Sequence, residues 1–423
     1  DPPGMTEPTV SVVIVSRDRP EALARCLRGV AQQHYTNFEV VIVADRAGMA
    51  QLWAMPEAIH AKQVRYDEAN IAVARNLGII EASGEVVAFI DDDAVPEPSW
   101  LSQLSLPFLS DHVTAAGGYV LGRNGISWQW RAQSVDVTGQ ADDIRVDPGR
   151  VTLLTPTAER GIKTQGTNMA LRRSWLARHG GFDPGFRYFL DETDINLRLA
   201  ESGSLTAVVP GAVVHHGFAA NAVRDADRVP RDLFEIGASW AVFLDKHCPP
   251  ERRARALARA RQDERLRALR HMVAGTLEPR DVRRLMKGFD AGVEDGRARG
   301  HRRMVPLPEP DLPFRPYPAR PDAPSLVVAG RPWQGRDRRA EALFQRQAGR
   351  IVTEIILSPS AWRHRVSFGP DGIWHQRGGL FGKSDRSDSP IRAWRFKRRI
   401  AREIERVRSV RLIERELADQ FRS

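Results

Sequence analysis

Three carboxylates stand side by side in Asp91-Asp92-Asp93, directly after the apolar run Val86-Val87-Ala88-Phe89-Ile90. Adjacent acids repel one another and raise each other's pKa, so the triplet makes chemical sense where a cation or a set of donors faces it. The plainer alternative is a solvated acidic turn running into Pro96 and Pro98. A second acidic run, Asp191-Glu192-Thr193-Asp194, opens a segment with helical spacing. Carboxylates there can cap a helix or take a proton from a hydroxyl. The pair His215-His216 closes an apolar run, and Asp18 and Asp45 follow two others. Cys26 and Cys248 lack metal-ligand spacing and are too few for a disulfide framework.

These groups need rigid elements to position them. Val86 to Ile90, apolar without alternation, predicts a strand covered on both faces, as in a parallel sheet. Ligands collect at the carboxyl ends of such strands. Val10 to Val15 predicts another buried strand, followed by a turn at Asp18 and Pro20 and a helix from about Glu21 to Gln32. The run from Phe38 to Ala44 predicts a second strand, ending at Asp45, and a helix over about Ile71 to Ala82 precedes the acidic triplet. Further on, the pattern predicts a strand or turn over Gly166 to Leu171, a helix over Arg173 to Arg178, a helix from about Asp191 and a strand pair in Leu205 to Gly217. No glycine-rich phosphate loop follows a strand, which argues against dinucleotide enzymes and P-loop ATPases.

At 423 residues the chain exceeds one ordinary domain. Residues 221 to about 300 predict two or three amphipathic helices. Eight prolines between Pro306 and Pro324 predict an extended linker. Beyond them, two strands, Ser325 to Gly330 and Ile351 to Ser358, bracket a helix over Arg338 to Gln347. A hairpin in His364 to Gly379 and a basic helix follow. The net charge is +10, and from Ile391 to Ser423 eleven Arg or Lys face five acids, which suits an anionic partner. In that helix Ile391, Trp394, Ile400, Ile404 and Val407 recur at roughly helical spacing, so it either packs on the preceding domain or docks on anionic membrane. No apolar run approaches the ~20 residues of a membrane span and no charged-then-apolar leader is present. The expectation is a soluble cytoplasmic protein, with peripheral contact at the inner face of the membrane as its extension.

In this order the first 220 or so residues resemble glycosyltransferase family two. The resemblance rests on "VSVVIVSRDRPEAL", the second strand with Asp45, "ARNLGI", the "DDD", "GTNMALRR", "DETD" and "PGAVVHH". It implies an α/β protein of GT-A fold, a Rossmann-like mixed sheet flanked by helices, over 5–220. A helical extension over 221–304, a linker over 305–325 and a small α/β C-terminal domain with the basic terminal helix over 326–423 are expected to follow. The sequence assigns residues 326–423 no role.

The resemblance also implies roles. The acids closing the strand correspond to the DxD motif, which binds Mn2+ or Mg2+ on the diphosphate of a sugar nucleotide, a hard-cation chemistry suited to carboxylate oxygens. Asp93, with Asp91 and His216, is expected to hold the metal. Ser16, Asp18, Asp45, Arg75, Asn76, Asp91 and Asp92 are expected at the donor nucleotide, and Gly166, Thr167, Asn168, Asp191 and Asp194 at the acceptor. Aligned on Asp194, Glu192 falls at the position of the catalytic base, with Asp191 beside it. The family usually carries Glu-Asp where this chain has Asp191-Glu192, which leaves Asp191 as the competing base. The QxxRW motif of processive relatives is missing, so transfer of one or few sugars is expected.

The reading is a metal-dependent inverting glycosyltransferase that moves a sugar from a nucleotide-sugar donor to a saccharide or glycolipid acceptor, in bacterial polysaccharide or glycoconjugate synthesis. Nucleic acid is not expected as a partner. Two rivals stand beside it. A nucleotidyltransferase would need a glycine-rich N-terminal loop that this chain lacks. A non-catalytic GT-A-like protein binding polysaccharide or lipid would have no need of the full set of acids.

Overall fold

The computed structural model describes residues 7–217, 229–300, 303–385, 387–389 and 391–414. The strand Val10–Ser16 is buried along its whole length, since its β-branched side chains fit a pleat covered on both faces. It pairs in parallel with Phe38–Ala44 and with Val86–Asp91, and Lys62–Arg65 extends that half of the sheet. Past Val86–Asp91 the direction changes. Met169–Arg172 runs antiparallel to it and to Val113–Leu121, and Leu205–His216 lies parallel to Val113–Leu121.

Helices cover both faces of this sheet. Val12 and Ile14 pack with Leu23 and Leu27 of Pro20–Val30, whereas Val13 and Val15 pack with Ala72 and Ile79 of Ile71–Glu81. Alternate strand residues therefore feed two separate cores, as a period of two requires. Asn70 caps Ile71–Glu81 by accepting from Val73 N at 3.1 Å. The mixed α/β class with a curled central sheet is as expected.

Three local readings change. Leu205–His216 is one strand rather than a pair; Pro210 lacks an N–H, so the ladder slips between Val209 and Val213 and then resumes. A helix over Arg46–Trp53, which the sequence reading left out, follows Asp45. The proline-rich stretch is extended but docked. Leu307 N donates to Ala177 O, Arg315 N to Glu39 Oε2 and Tyr317 N to Phe38 O, each at 2.8 Å.

Three helices follow the first sheet, Phe234–His247, Pro250–Val273 and Pro279–Arg299; the boundary expected at 220/221 lies outside the described residues. A Cβ at Gly292 would sit 1.9 Å from Phe234 O, so glycine there permits the close crossing of the first and third. The C-terminal part is a four-stranded sheet. Ser325–Gly330, Ile351–Ser358 and Trp374–Gly379 are parallel, with Arg365–Phe368 antiparallel at the edge. Gly335–Gln347 packs on it through Ala342, while Phe396–Arg411 packs through Ile400, Ile404 and Val407 against Val327, Ile355 and Leu357. That packing uses most of the apolar stripe on which the membrane reading of this helix rested. Among the described residues no helix is long and apolar enough to cross a membrane.

Candidate active site

The strand Val86–Asp91 ends at the acids, and Asp92 and Asp93 form the turn into Ala94–Pro96. Ala94–Pro96 pairs with Leu205–His216 and sets His216 opposite Ala94. This register brings His216 Nε2 to 3.1 Å from Asp93 Oδ1. Its Nδ1 lies 3.1 Å from Gln129 Oε1, and Trp130 packs beside the ring. Asp91, Asp93 and His216 each offer a ligand atom within 4.8 Å of the others. Two carboxylate oxygens and one imidazole nitrogen fit a hard or borderline divalent cation.

Asp92 faces the protein. Ser16 Oγ donates to its Oδ2 at 2.7 Å and Arg19 meets its Oδ1 at 2.6 Å. Burial raises this carboxyl above the ordinary range; Arg19 pulls it back and Asp93 adds to the rise. Arg19 also lies 3.5 Å from Asp93. Sequence reasoning passed over Arg19, although it stands within the quoted first motif.

Arg75 ties the acids to the second acidic run. One arm of its guanidinium is 3.1 Å from Asp91 Oδ1, and the other pairs with Asp191. Asp191 opens the helix Asp191–Glu201 and is 2 % exposed. Burial raises its carboxyl to about 7; Arg75 opposes the rise and Glu192 reinforces it. Glu192 itself is only partly buried. Gly166 belongs to the same cluster, since a Cβ there would stand 2.5 Å from Arg75 NH2.

Asp18 and Asp45 meet at the ends of the first two strands. Asp18 adopts a positive φ of 58° and its N–H donates to Asp45 Oδ2 at 2.9 Å, while Asp45 Oδ1 caps the next helix at Gly48 N. With Arg17, Arg46 and Asp67 they line a cleft of about 460 Å³. Asp67 is an addition, and no local pattern in the sequence points to it.

Other predicted residues lie elsewhere. The Asn76 amide is bonded to both the N–H and the C=O of Phe182, so it fastens a loop. Asn168 is fully buried and bonds Trp100 Nε1, Tyr119 O and Ala212 O. Asp194 is equally buried, between Arg198, Lys246 and His247. These three fall within the quoted motifs, and their side chains bond within the fold. Thr167 is buried with its hydroxyl unpartnered among the described residues.

A mixed sheet whose parallel half ends in clustered acids beside a histidine is the arrangement that the family resemblance implies. Residues 11–180 match the family model described as Glycosyl transferase family 2. Among curated proteins, the chain is 26% identical over 238 residues to the O-antigen biosynthesis protein RfbC of Myxococcus xanthus, covering 53% of this chain and 18% of that protein. It is 29% identical over 126 residues to the glycosyltransferase AglE of Haloferax volcanii, covering 27% of this chain and 40% of that one. The chain thus spans less than half the length of these relatives. Among solved structures, the mannosyltransferase PcManGT of Pyrobaculum calidifontis, in complex with GDP-Man and Mn2+, is 17% identical with a TM-score of 0.39, covering 69% of this chain and 87% of that one.

Proposed function

We propose that this chain is a metal-dependent, inverting glycosyltransferase that moves a sugar from a nucleoside-diphosphate sugar to an acceptor hydroxyl, in bacterial polysaccharide or glycoconjugate assembly. The observation that carries the reading is the continuous link from the Asp91, Asp93 and His216 group through Arg75 to Asp191 and Glu192. It sets a candidate cation site and a candidate base on one connected framework.

In this reading Asp91, Asp93 and His216 hold Mn2+ or Mg2+, which when bound offsets charge on the leaving diphosphate. Asp18 and Asp45 flank the nucleotide in the cleft they line with Arg17 and Arg46. Ser16 and Arg19 keep Asp92 fixed behind the metal group. Glu192 accepts the proton of the attacking hydroxyl, and Asp191, fastened to Arg75, keeps the helix end in register. Gly166 and Thr167 border the acceptor. Asn76 and Asn168 support the site through the backbone they bind, and Asp194 through its side-chain pairs with Arg198, Lys246 and His247. Residues 5–220 are the catalytic unit, and 221–304, 305–325 and 326–423 are its helical extension, strap and accessory unit.

Incubation with a panel of UDP-, GDP- and dTDP-sugars and Mn2+, followed by assay of free nucleoside diphosphate, tests the reading. Metal-dependent release supports it. Release of pyrophosphate from nucleoside triphosphates would mark a nucleotidyltransferase instead, and donor binding without turnover under any acceptor would mark a binding protein.

A further inference from the structure

The outer side of the last helix lines a groove of about 540 Å³ between Trp394, Arg398, Arg402, Glu405 and Arg406. Arg398, Arg402 and Arg406 are spaced by four, which stacks their guanidinium groups along one stripe of the helix. Trp394 lies between two guanidinium groups, 4.5 Å from that of Arg392 and 5.4 Å from that of Arg402. The acids nearby are engaged. Glu405 pairs with Arg408 at 3.2 Å, and Asp388 takes Arg402 NH2 at 2.6 Å.

Two donors in this groove have no acceptor. Arg402 NH1 and Trp394 Nε1 are buried without a hydrogen-bond partner among the described residues, and Arg398 has no ion pair there. Buried N–H groups left unpaired are costly and rare. The accessible cation of the groove is the exposed Arg398, and a phosphate oxygen suits arginine forks best. Exposed apolar side chains stand on neighbouring segments: Ile391 is 69 % and Trp362 78 % exposed. Arg392 N donates to Phe381 O at 3.1 Å and Gly379 N to Trp362 O at 2.9 Å, which brings their two segments to the same stretch, 379–381. Arginines interleaved with exposed tryptophan and isoleucine are the composition of a surface that lies at a lipid headgroup layer.

We infer that this groove docks the chain on an anionic membrane by taking a phospholipid phosphate between Arg398, Arg402 and Trp394. The docking face is the polar face of the helix. Its apolar face is buried on the C-terminal sheet.

Co-sedimentation of the 423-residue chain with vesicles of phosphatidylcholine alone, or with a third phosphatidylglycerol, tests this. Binding is expected only to the anionic vesicles. Each arginine removed should weaken it by about fivefold, the factor equivalent to ~1 kcal/mol. Arg398→Glu breaks no contact of the fold and should weaken binding at least that much with the melting temperature unchanged; Arg398→Gln with Arg402→Gln should weaken it by about 25-fold. Equal sedimentation with both vesicle types, or unchanged binding by Arg398→Glu, overturns the inference. Binding of inorganic phosphate or RNA without vesicle binding overturns it too, in favour of a soluble polyanion.

Discussion

Arg411 holds Glu97 with two hydrogen bonds of 2.8 Å, Nε to Oε2 and NH2 to Oε1, between residues 314 apart in sequence. Both side chains are buried. Trp374 lies 4.2 Å from the guanidinium, and His215 Nε2 stands 2.7 Å from Glu97 Oε1. The last helix is thereby fastened to the strand that carries His216 into the acidic group. Burial alone would raise the Glu97 carboxyl, but Arg411, with His215 adding to it, holds it down at about 2.

This pair sets an acid limit on stability. A carboxyl held below its ordinary 4.5 stabilises the fold fully above pH 4.5, and that contribution is lost as pH falls from 4.5 toward 2. It amounts to about 3 kcal/mol at most. Urea midpoints measured from pH 5 down to 2.5 should fall steeply for the wild type and less steeply for Glu97→Gln; parallel curves would refute the assignment. Arg411→Ala, which strands a buried carboxylate, should cost about 3–5 kcal/mol at pH 7.

Asp93→Ala should remove metal-dependent donor binding and leave the fold intact. Asp92 keeps its bonds to Ser16 and Arg19 in that variant, so the turn retains its anchors. Titration calorimetry with Mn2+ and a sugar nucleotide checks this. Undiminished metal-dependent affinity would take Asp93 out of the site.

The two acids opening the helix Asp191–Glu201 should separate by behaviour. Glu192→Gln is expected to lower kcat by 10² to 10⁴ with donor affinity and melting temperature nearly unchanged, as for a general base. Asp191→Asn should do less to kcat and lower the melting temperature, because it weakens the buried pair with Arg75. A dead Asp191→Asn beside an active Glu192→Gln would make Asp191 the base.

Gly166→Ala tests whether Arg75 must sit where it does. The added Cβ would stand 2.5 Å from NH2, so the guanidinium has to leave Asp91 or Asp191. Steady-state kinetics should show a loss of about tenfold or more in kcat/KM, the scale of 1.4 kcal/mol, with a lowered melting temperature because a buried ion pair is disturbed. Wild-type kinetics in this variant would mean that the bridge is dispensable.

Local sequence pattern carries the elements and their chemistry: buried strands from unbroken apolar runs, acids at their carboxyl ends, the acidic start of a helix, an extended proline stretch. Such signals act over a few residues and survive without knowledge of the fold. The connections of the site depend instead on strand order and register, which are long-range properties. Pairing Ala94–Pro96 with Leu205–His216 selected His216 for Asp93 and turned His215 toward Glu97. The bridge from Arg75 to Asp191 spans 116 residues, and no local pattern announces it. Asn76, Asn168 and Asp194 lie in the motifs, but only packing shows that their polar atoms are consumed by the fold. The last helix shows the same division. Its apolar stripe fits a membrane or a sheet equally well, and the uncovered face of the C-terminal sheet claimed it, because burying that stripe within the chain also buries the sheet's own Ile355 and Leu357.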